Sequence, residues 1–553
     1  MTKIALVLGG GVSLGSYIGG AVSELLHAFQ NNSLRSDGGP VRVHVITGTS
    51  AGAINAALAA RTLAVNAELL PWIERAWVEI AAAEHLLNPD RPNRRGWLDD
   101  SAVEDLSRAL ITSGSASDDA FGRVAGDPLR VGLTLANLHG VRYDMPYGFL
   151  NVPERSFGTR RYADSVTFEF TRRGTGADDP DWEELRRAAL AASAFPFAFP
   201  VRSLARSRAD YPGATLPPGD EELTMWYLDG GLFDTAPLGL AKHLVEREPG
   251  FRSDDWRYIL VEPTLRSSDD GRAGDATPAA ESLGGLAADL SRAVLGQGAA
   301  QDWVRTNRIN AQLEVLSALV DRLPELNDRL HDPDEVGLGL KIGELAERVA
   351  EMQVALDARV AGRHAGSDPA GQYLDAQLER IEADDRYSAV LAETESRAAR
   401  SRLAKLVFLL EATGGLAGKD VMKLYLVAPR EAHELAGDFL GNFGGFLNRD
   451  WRRNDFRAGR RDARRVLEES LGDVVSYDPV DEASYRVETL EPSWDGVPAS
   501  TRDRLAAVLE SEAERTLSDV RPGGVAGMFS WAWKPVLRRV MVERAMRALK
   551  EAR

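Results

Sequence analysis

Ile4-Ala5-Leu6-Val7-Leu8 running into Gly9-Gly10-Gly11, and Val41-Arg42-Val43-His44-Val45-Ile46-Thr47 running into Gly48-Thr49-Ser50-Ala51-Gly52, decide the fold. Each is a short apolar or β-branched run that ends in glycine, the pattern of a buried parallel strand entering a tight turn. A helix is predicted after each turn, over about Ser16 to Phe29 and Ala53 to Arg61, with Asn31 to Pro40 as the loop between the units. Strand, glycine turn and helix, repeated, build a mostly parallel sheet covered on both faces. Leu129 to Leu135, Ser165 to Thr171 and Trp256 to Val261 read as further strands of that sheet, with a helix over Trp182 to Ala192.

The chain has 553 residues, 44% of them hydrophobic and 27% charged, so it can bury real cores and is expected to hold several structural units. It has no cysteine, which excludes disulfides, thiolate nucleophiles and zinc–thiolate sites. A formal charge of −17 argues against nucleic acid as a partner. The longest uncharged stretch, Ile4 to Val22, has the length of a membrane span, but six of its residues are glycine, which makes a poor helix. With one lysine before a five-residue apolar run it also lacks a secretory h-region. A soluble, cytoplasmic protein without leader or transmembrane helix is the expectation.

From Thr264 to Gly285 the composition turns to Ser, Asp, Gly and Pro, the mark of a boundary. Beyond it Ile342, Leu345, Val349, Met352 and Leu356 step by three and four, so the block 266–419 is expected to be a helical insert. Lys423 to Val427 reads as strand again, so residues 420–470 are expected to complete the α/β unit of 1–265. A helical extension fills 471–553. Its end, 521–553, holds eight basic and two acidic residues, with Trp531 and Trp533 before an amphipathic pattern. That pattern fits a helix docked on its own domain, or a peripheral contact with a bilayer.

Gly48-Thr49-Ser50-Ala51-Gly52 fits G-x-S-x-G directly between a strand and a helix, the setting of a nucleophile elbow. Gly9-Gly10-Gly11, with Gly15 after it, also closes a strand and opens a helix, so its amides can gather round an anion. A dinucleotide fingerprint is disfavoured, because the third glycine is displaced to Gly15 and no acidic residue ends the next strand. Serine needs a base, and the eight histidines sit mostly in helical or strand patterns, with His139, beside Gly140, the one tempting candidate. Asp229-Gly230-Gly231 follows the apolar run Trp226-Tyr227-Leu228 and puts a carboxylate at a strand end. In isolation an Asx turn explains it as well; as a base it would need desolvation and direct contact with Ser50.

G-G-G, then G-T-S-A-G, then D-G-G in this order resemble the patatin-like phospholipases, a family with bacterial members. Ala191-Ala192-Ser193-Ala194-Phe195-Pro196 and Leu135-Ala136-Asn137-Leu138 are similar to segments between that family's serine and aspartate, and Phe443 to Arg460 is similar to a C-terminal segment of bacterial members. The resemblance implies a three-layer α/β/α fold and a lipid or phospholipid substrate. It also implies a Ser–Asp dyad of Ser50 and Asp229, an oxyanion hole from the Gly10 and Gly11 amides, and neither cofactor nor metal. Two departures stand out: one residue more in the glycine loop, with Leu14 where a basic residue would fall, and Asp234 in place of an asparagine, near enough to disturb the pKa of Asp229. The expected function is serine acyl-ester hydrolysis. The alternative is a catalytically weak lipid-binding or scaffolding protein on the same frame.

Overall fold

The computed structural model describes residues 2–35, 40–65, 70–88, 96, 98–112, 123–147, 155–172, 180–196, 198–219, 221–265, 304, 306–320, 336–361, 369–392, 397–414, 416, 421–430, 434–519, 538–539, 542–543 and 545–547. Among the described residues eight strands form one sheet: β1 (Thr2–Leu8), β2 (Val41–Gly48), β3 (Ala125–Tyr147), β4 (Arg155–Phe170), β5 (Arg202–Ser207), β6 (Glu222–Asp229), β7 (Trp256–Val261) and β8 (Leu424–Val427). Their order is β5-β6-β3-β2-β1-β7-β8, with β4 paired to β3. The run β3-β2-β1-β7-β8 is parallel, whereas β4, β5 and β6 join antiparallel at one side.

Strand alternation sorts the β1 side chains between two layers. Ile4, Leu6 and Leu8 enter a core with α1 (Gly15–Leu34), α2 (Ala51–Val65) and α4 (Pro180–Ala192). Ala5 and Val7 face the other way, onto Leu238, Ala241 and Leu244 of α5 (Leu238–Glu246). The result is helix, sheet, helix. Helix α3 (Ser101–Ile111) packs on the α2 side through Leu110 and Ile111.

Helix α1 runs on to Leu34, where the sequence suggested a loop from Asn31. Its last turn is held from outside: the Asn31 and Asn32 carboxamides accept the amides of Asp478 and Ser476 at 3.2 and 2.9 Å. Strands β3 and β4 extend well past the expected Leu135 and Ser165 as a long hairpin. The outer half is rich in arginine and largely exposed, so it gave no apolar signal. Strand β5 was not foreseen, because Arg-Ser-Leu-Ala-Arg-Ser has almost no apolar content.

Strand β8 pairs parallel with β7, from Tyr258↔Leu424 to Val261↔Val427. It is followed by α6 (Arg449–Ser470), which crosses α1 at very short range. A Cβ on Gly20 would overlap the carbonyl of Phe456, and one on Gly459 would overlap that of Tyr17. Between β7 and β8 a separate apolar cluster forms from Leu313, Leu316, Leu374, Ile381, Val407 and Phe408, among others. The helices Val336–Ala361, Pro369–Ala383, Asp385–Ala392 and Arg397–Thr413 supply most of it. Nearly all of the basic end, 521–553, lies outside the described residues, although Met546 packs against the cluster around Trp451 and Val508.

Gly20→Ala is expected to lower the free energy of unfolding by about 1–3 kcal/mol, as overpacking does. Denaturant titration of the purified variant measures it.

Candidate active site

The site sits beyond the C-terminal ends of β1 and β2, where ligands gather in open parallel sheets. Ser50 follows β2 with φ 53°, a left-handed conformation that is uncommon for a residue with a side chain. The sharp turn brings Gly52 against the end of β1, where a Cβ would overlap the Leu8 carbonyl, while one on Gly48 would strike Gly52 itself. Helix α2 starts at Ala51, so the positive end of its dipole lies behind the serine.

Register places the partner. Gly48 pairs with Leu133 on β3, and two residues further along β3, Leu135 pairs with Asp229 on β6. Ser50 is likewise two residues beyond Gly48, so β3 acts as a ruler that sets both groups at one height. Ser50 Oγ donates to Asp229 Oδ2 at 2.6 Å, and the two residues are 6% and 1% exposed. Both backbones are also fastened to one short stretch at the end of α4: the Ser50 amide donates to the Ala192 carbonyl at 3.2 Å and the Asp229 amide to the Ala194 carbonyl at 3.0 Å. Strand β6 is tied down by the Tyr227 hydroxyl, which donates to Asp164 at 3.0 Å.

The other carboxylate oxygen of Asp229 accepts the Gly231 amide at 2.8 Å. The residue therefore makes the Asx-type turn and the serine contact together. Burial pushes its pKa up to about 7, against the downward pull of the hydrogen bonds from Ser50 and Gly231. Asp234 has no part in that shift. Gly230 lies against β3, where a Cβ would meet the Thr134 carbonyl. His139 is exposed at the β3 bulge, and no imidazole stands between Ser50 and Asp229, which touch directly.

The glycine loop differs from expectation in one donor. The Gly9 amide donates to the Val261 carbonyl at 2.9 Å, and the Gly10 amide, expected in the oxyanion hole, donates to the Thr235 carbonyl at 3.0 Å. Gly10 is thus spent on holding the loop against the β6–α5 connection, although it still lies beside Ser50. Among the described residues the Gly11 amide has no acceptor. Leu14 is fully buried in the core, and Gly15 opens α1 under the indole of Trp77. Behind Gly9 lies Glu262, a second buried carboxyl that burial also raises to about 7. It accepts from the Thr264 amide and hydroxyl at 3.1 and 2.6 Å.

From Ser50 an apolar slot with about 100 Å³ of free space runs along α2 past Ile54 to Leu58. Trp77, Leu110, Phe199 and Phe446 line its walls. Trp77 is held in place by an indole N–H donated to Asn55 Oδ1 at 2.8 Å, within a π-helical stretch, Arg75–Ile80. Sequence reading missed these residues. Phe446 lies in the Phe443–Arg460 segment noted for its resemblance, but nothing there marks it as a pocket wall, and the helical spacing of Ile54 and Leu58 serves equally for core.

Residues 6–242 match the family model for patatin-like phospholipase, and residues 422–476 match that of a protein family of unknown function, DUF3376. The chain is also 23% identical over 328 residues to "Uncharacterized protein y4iI" of Sinorhizobium fredii (strain NBRC 101917 / NGR234), covering 45% of this chain and 46% of that one. It therefore spans less than half the length of this relative. No helix among the described residues is long and apolar enough to cross a membrane.

Because the Asp229 pKa in the fold exceeds the ordinary ~3.9, the folded state holds this proton more tightly between about pH 4 and 7, and stability falls as pH rises through that window. Asp229→Asn removes the effect. The variant is expected to gain stability relative to the parent by on the order of 2–4 kcal/mol between pH 4 and 7, as measured by denaturation across that range. The elbow, the carboxylate and the glycine loop all lie inside residues 6–242, the stretch that matches the patatin-like phospholipase model.

Proposed function

We propose that the protein hydrolyses a fatty-acyl ester by a Ser50–Asp229 dyad. The observation that carries this is the 2.6 Å hydrogen bond from an elbow serine to a desolvated carboxylate at the mouth of an apolar slot. An ordinary aspartate is too weak a base for a serine hydroxyl; one raised to about 7 takes the proton far more readily.

In the first step Ser50 Oγ attacks the acyl carbonyl while its proton passes to Asp229 Oδ2. The carbonyl oxygen becomes an oxyanion that accepts from the Gly11 amide, in the field of the α2 N-terminus, a donor of this kind contributing roughly 3 kcal/mol. Asp229 then returns the proton to the leaving alcohol, giving an acyl-serine. Water attacks that ester, losing its proton to Asp229; as the tetrahedral intermediate collapses the Ser50 Oγ–acyl bond breaks, Asp229 returns the proton to Ser50 Oγ, and the free acid departs. The acyl chain lies along Ile54 and Leu58, so by the helical rise the slot is about 12 Å deep from Ser50 to Leu58. That depth suits a medium-length chain, with the alcohol portion left outside.

Ser50→Ala is expected to abolish hydrolysis of p-nitrophenyl octanoate and labelling by a fluorophosphonate, with folding intact. Retained turnover in the pure variant would overturn the dyad; a parent that is neither labelled nor active would favour the scaffolding alternative. Since the base must be ionised, kcat/KM should rise with pH and level off above about 7. Filling the far end of the slot with Leu58→Phe should cut turnover of octanoate relative to butyrate by about tenfold, the scale of a methylene or two in an apolar pocket.

A further inference from the structure

The lengthened glycine loop holds a strained residue: Val12, β-branched, has φ 54°. Such a conformation persists only when its surroundings impose it. What imposes it comes from the far end of the chain. Ser13, fully buried, donates its hydroxyl to the Asn442 carbonyl at 2.6 Å and accepts the Gly445 amide at 3.0 Å. Leu14 lies against Gly437, where a Cβ would crowd its side chain.

The segment that grips Ser13 is itself strained and braced. Leu440, Gly441 and Asn442 are all left-handed, with φ 55°, 64° and 73°. Asp455, on α6, accepts the Ala436 and Gly437 amides at 2.8 Å each. Arg452, also buried, donates to the Gly445 and Phe446 carbonyls at 2.7 and 3.1 Å. It reaches the Val78 carbonyl at 3.0 Å, next to the slot's Trp77. Phe446 of the same segment lines the slot beside Ser50.

We propose that residues 436–455, within the stretch that matches a family of unknown function, act as a clamp that sets the oxyanion-binding loop, with Ser13 as the positioning residue through which the clamp acts. The proposal rests on the hydrolase reading and deepens it. Ser13 touches no substrate; its hydroxyl fixes where the Gly11 amide points. Removing it loosens a transition-state donor and leaves the acyl slot as it was.

The test uses full-length protein with p-nitrophenyl octanoate, together with a trifluoromethyl ketone bearing the same chain, which mimics the tetrahedral oxyanion, and the matching methyl ketone as its ground-state counterpart. Ser13→Ala is expected to lower kcat by about ten- to a hundredfold, as small misplacements of catalytic donors do, with KM within about twofold. Affinity for the trifluoromethyl ketone should weaken by the same factor while the methyl ketone binds as before. A purely structural role would lower thermal stability and leave that split unmoved. If Ser13→Ala does not fold, Asp455→Asn loosens the same loop from the other side and should show the same split at about three- to tenfold. Parental kcat and ketone affinities in the folded variant, with Ser50→Ala inactive, would overturn the clamp and leave the dyad standing. An inactive parent would instead overturn the hydrolase reading, and the clamp with it.

Discussion

A carboxylate in water binds its proton too weakly to draw one from a serine, and a buried carboxylate without a partner is too costly to leave charged. The Ser50–Asp229 contact sits between those limits. Asp229 is removed from water, yet it keeps two hydrogen bonds, from Ser50 and from the Gly231 amide, that hold its price in check. The rest of the structure makes that contact possible. The ruler strand β3 sets the height of both groups, and the Ala192–Ala194 carbonyls fasten both backbones, so neither can drift without the other.

The same economy appears in the glycine loop. Three successive amides share the work: Gly9 and Gly10 are used to anchor the loop to β7 and to the β6–α5 connection, which leaves Gly11 without an acceptor among the described residues. An amide free to bind an oxyanion is affordable in a folded protein only where its neighbours are already bonded.

Much of this was legible in the sequence because it is local. Ile4–Leu8 and Val41–Thr47 announce strands by composition, Gly48–Gly52 announces a tight bend, and Trp226–Leu228 before Asp229 announces a carboxylate at a strand end. The Ala191–Pro196 stretch could be matched to a family but not explained; the structure supplies the reason in its two carbonyls. What stayed hidden is long-range. That Gly10 is engaged by Thr235 depends on a loop 225 residues downstream, and Ser13 gives no sign that its partners lie 429 and 432 residues away. Strand β5 and the outer β3–β4 hairpin escaped notice because their polar, arginine-bearing sequences carry no apolar alternation; on β5 it is Arg206 that is buried beside Leu204.

Strand β8 pairs with β7 only after the chain has passed through the intervening helices, and α6 reaches α1 later still. A ribosome adding about 5–20 residues per second takes on the order of ten seconds or more to travel from β7 to α6. For that interval the nascent protein carries an open sheet edge at β7 and an α1 surface with nothing against Gly20, both invitations to wrong pairing. Chaperone demand during synthesis should therefore peak late, when most of the sheet has already emerged but the strand that seals its border has not.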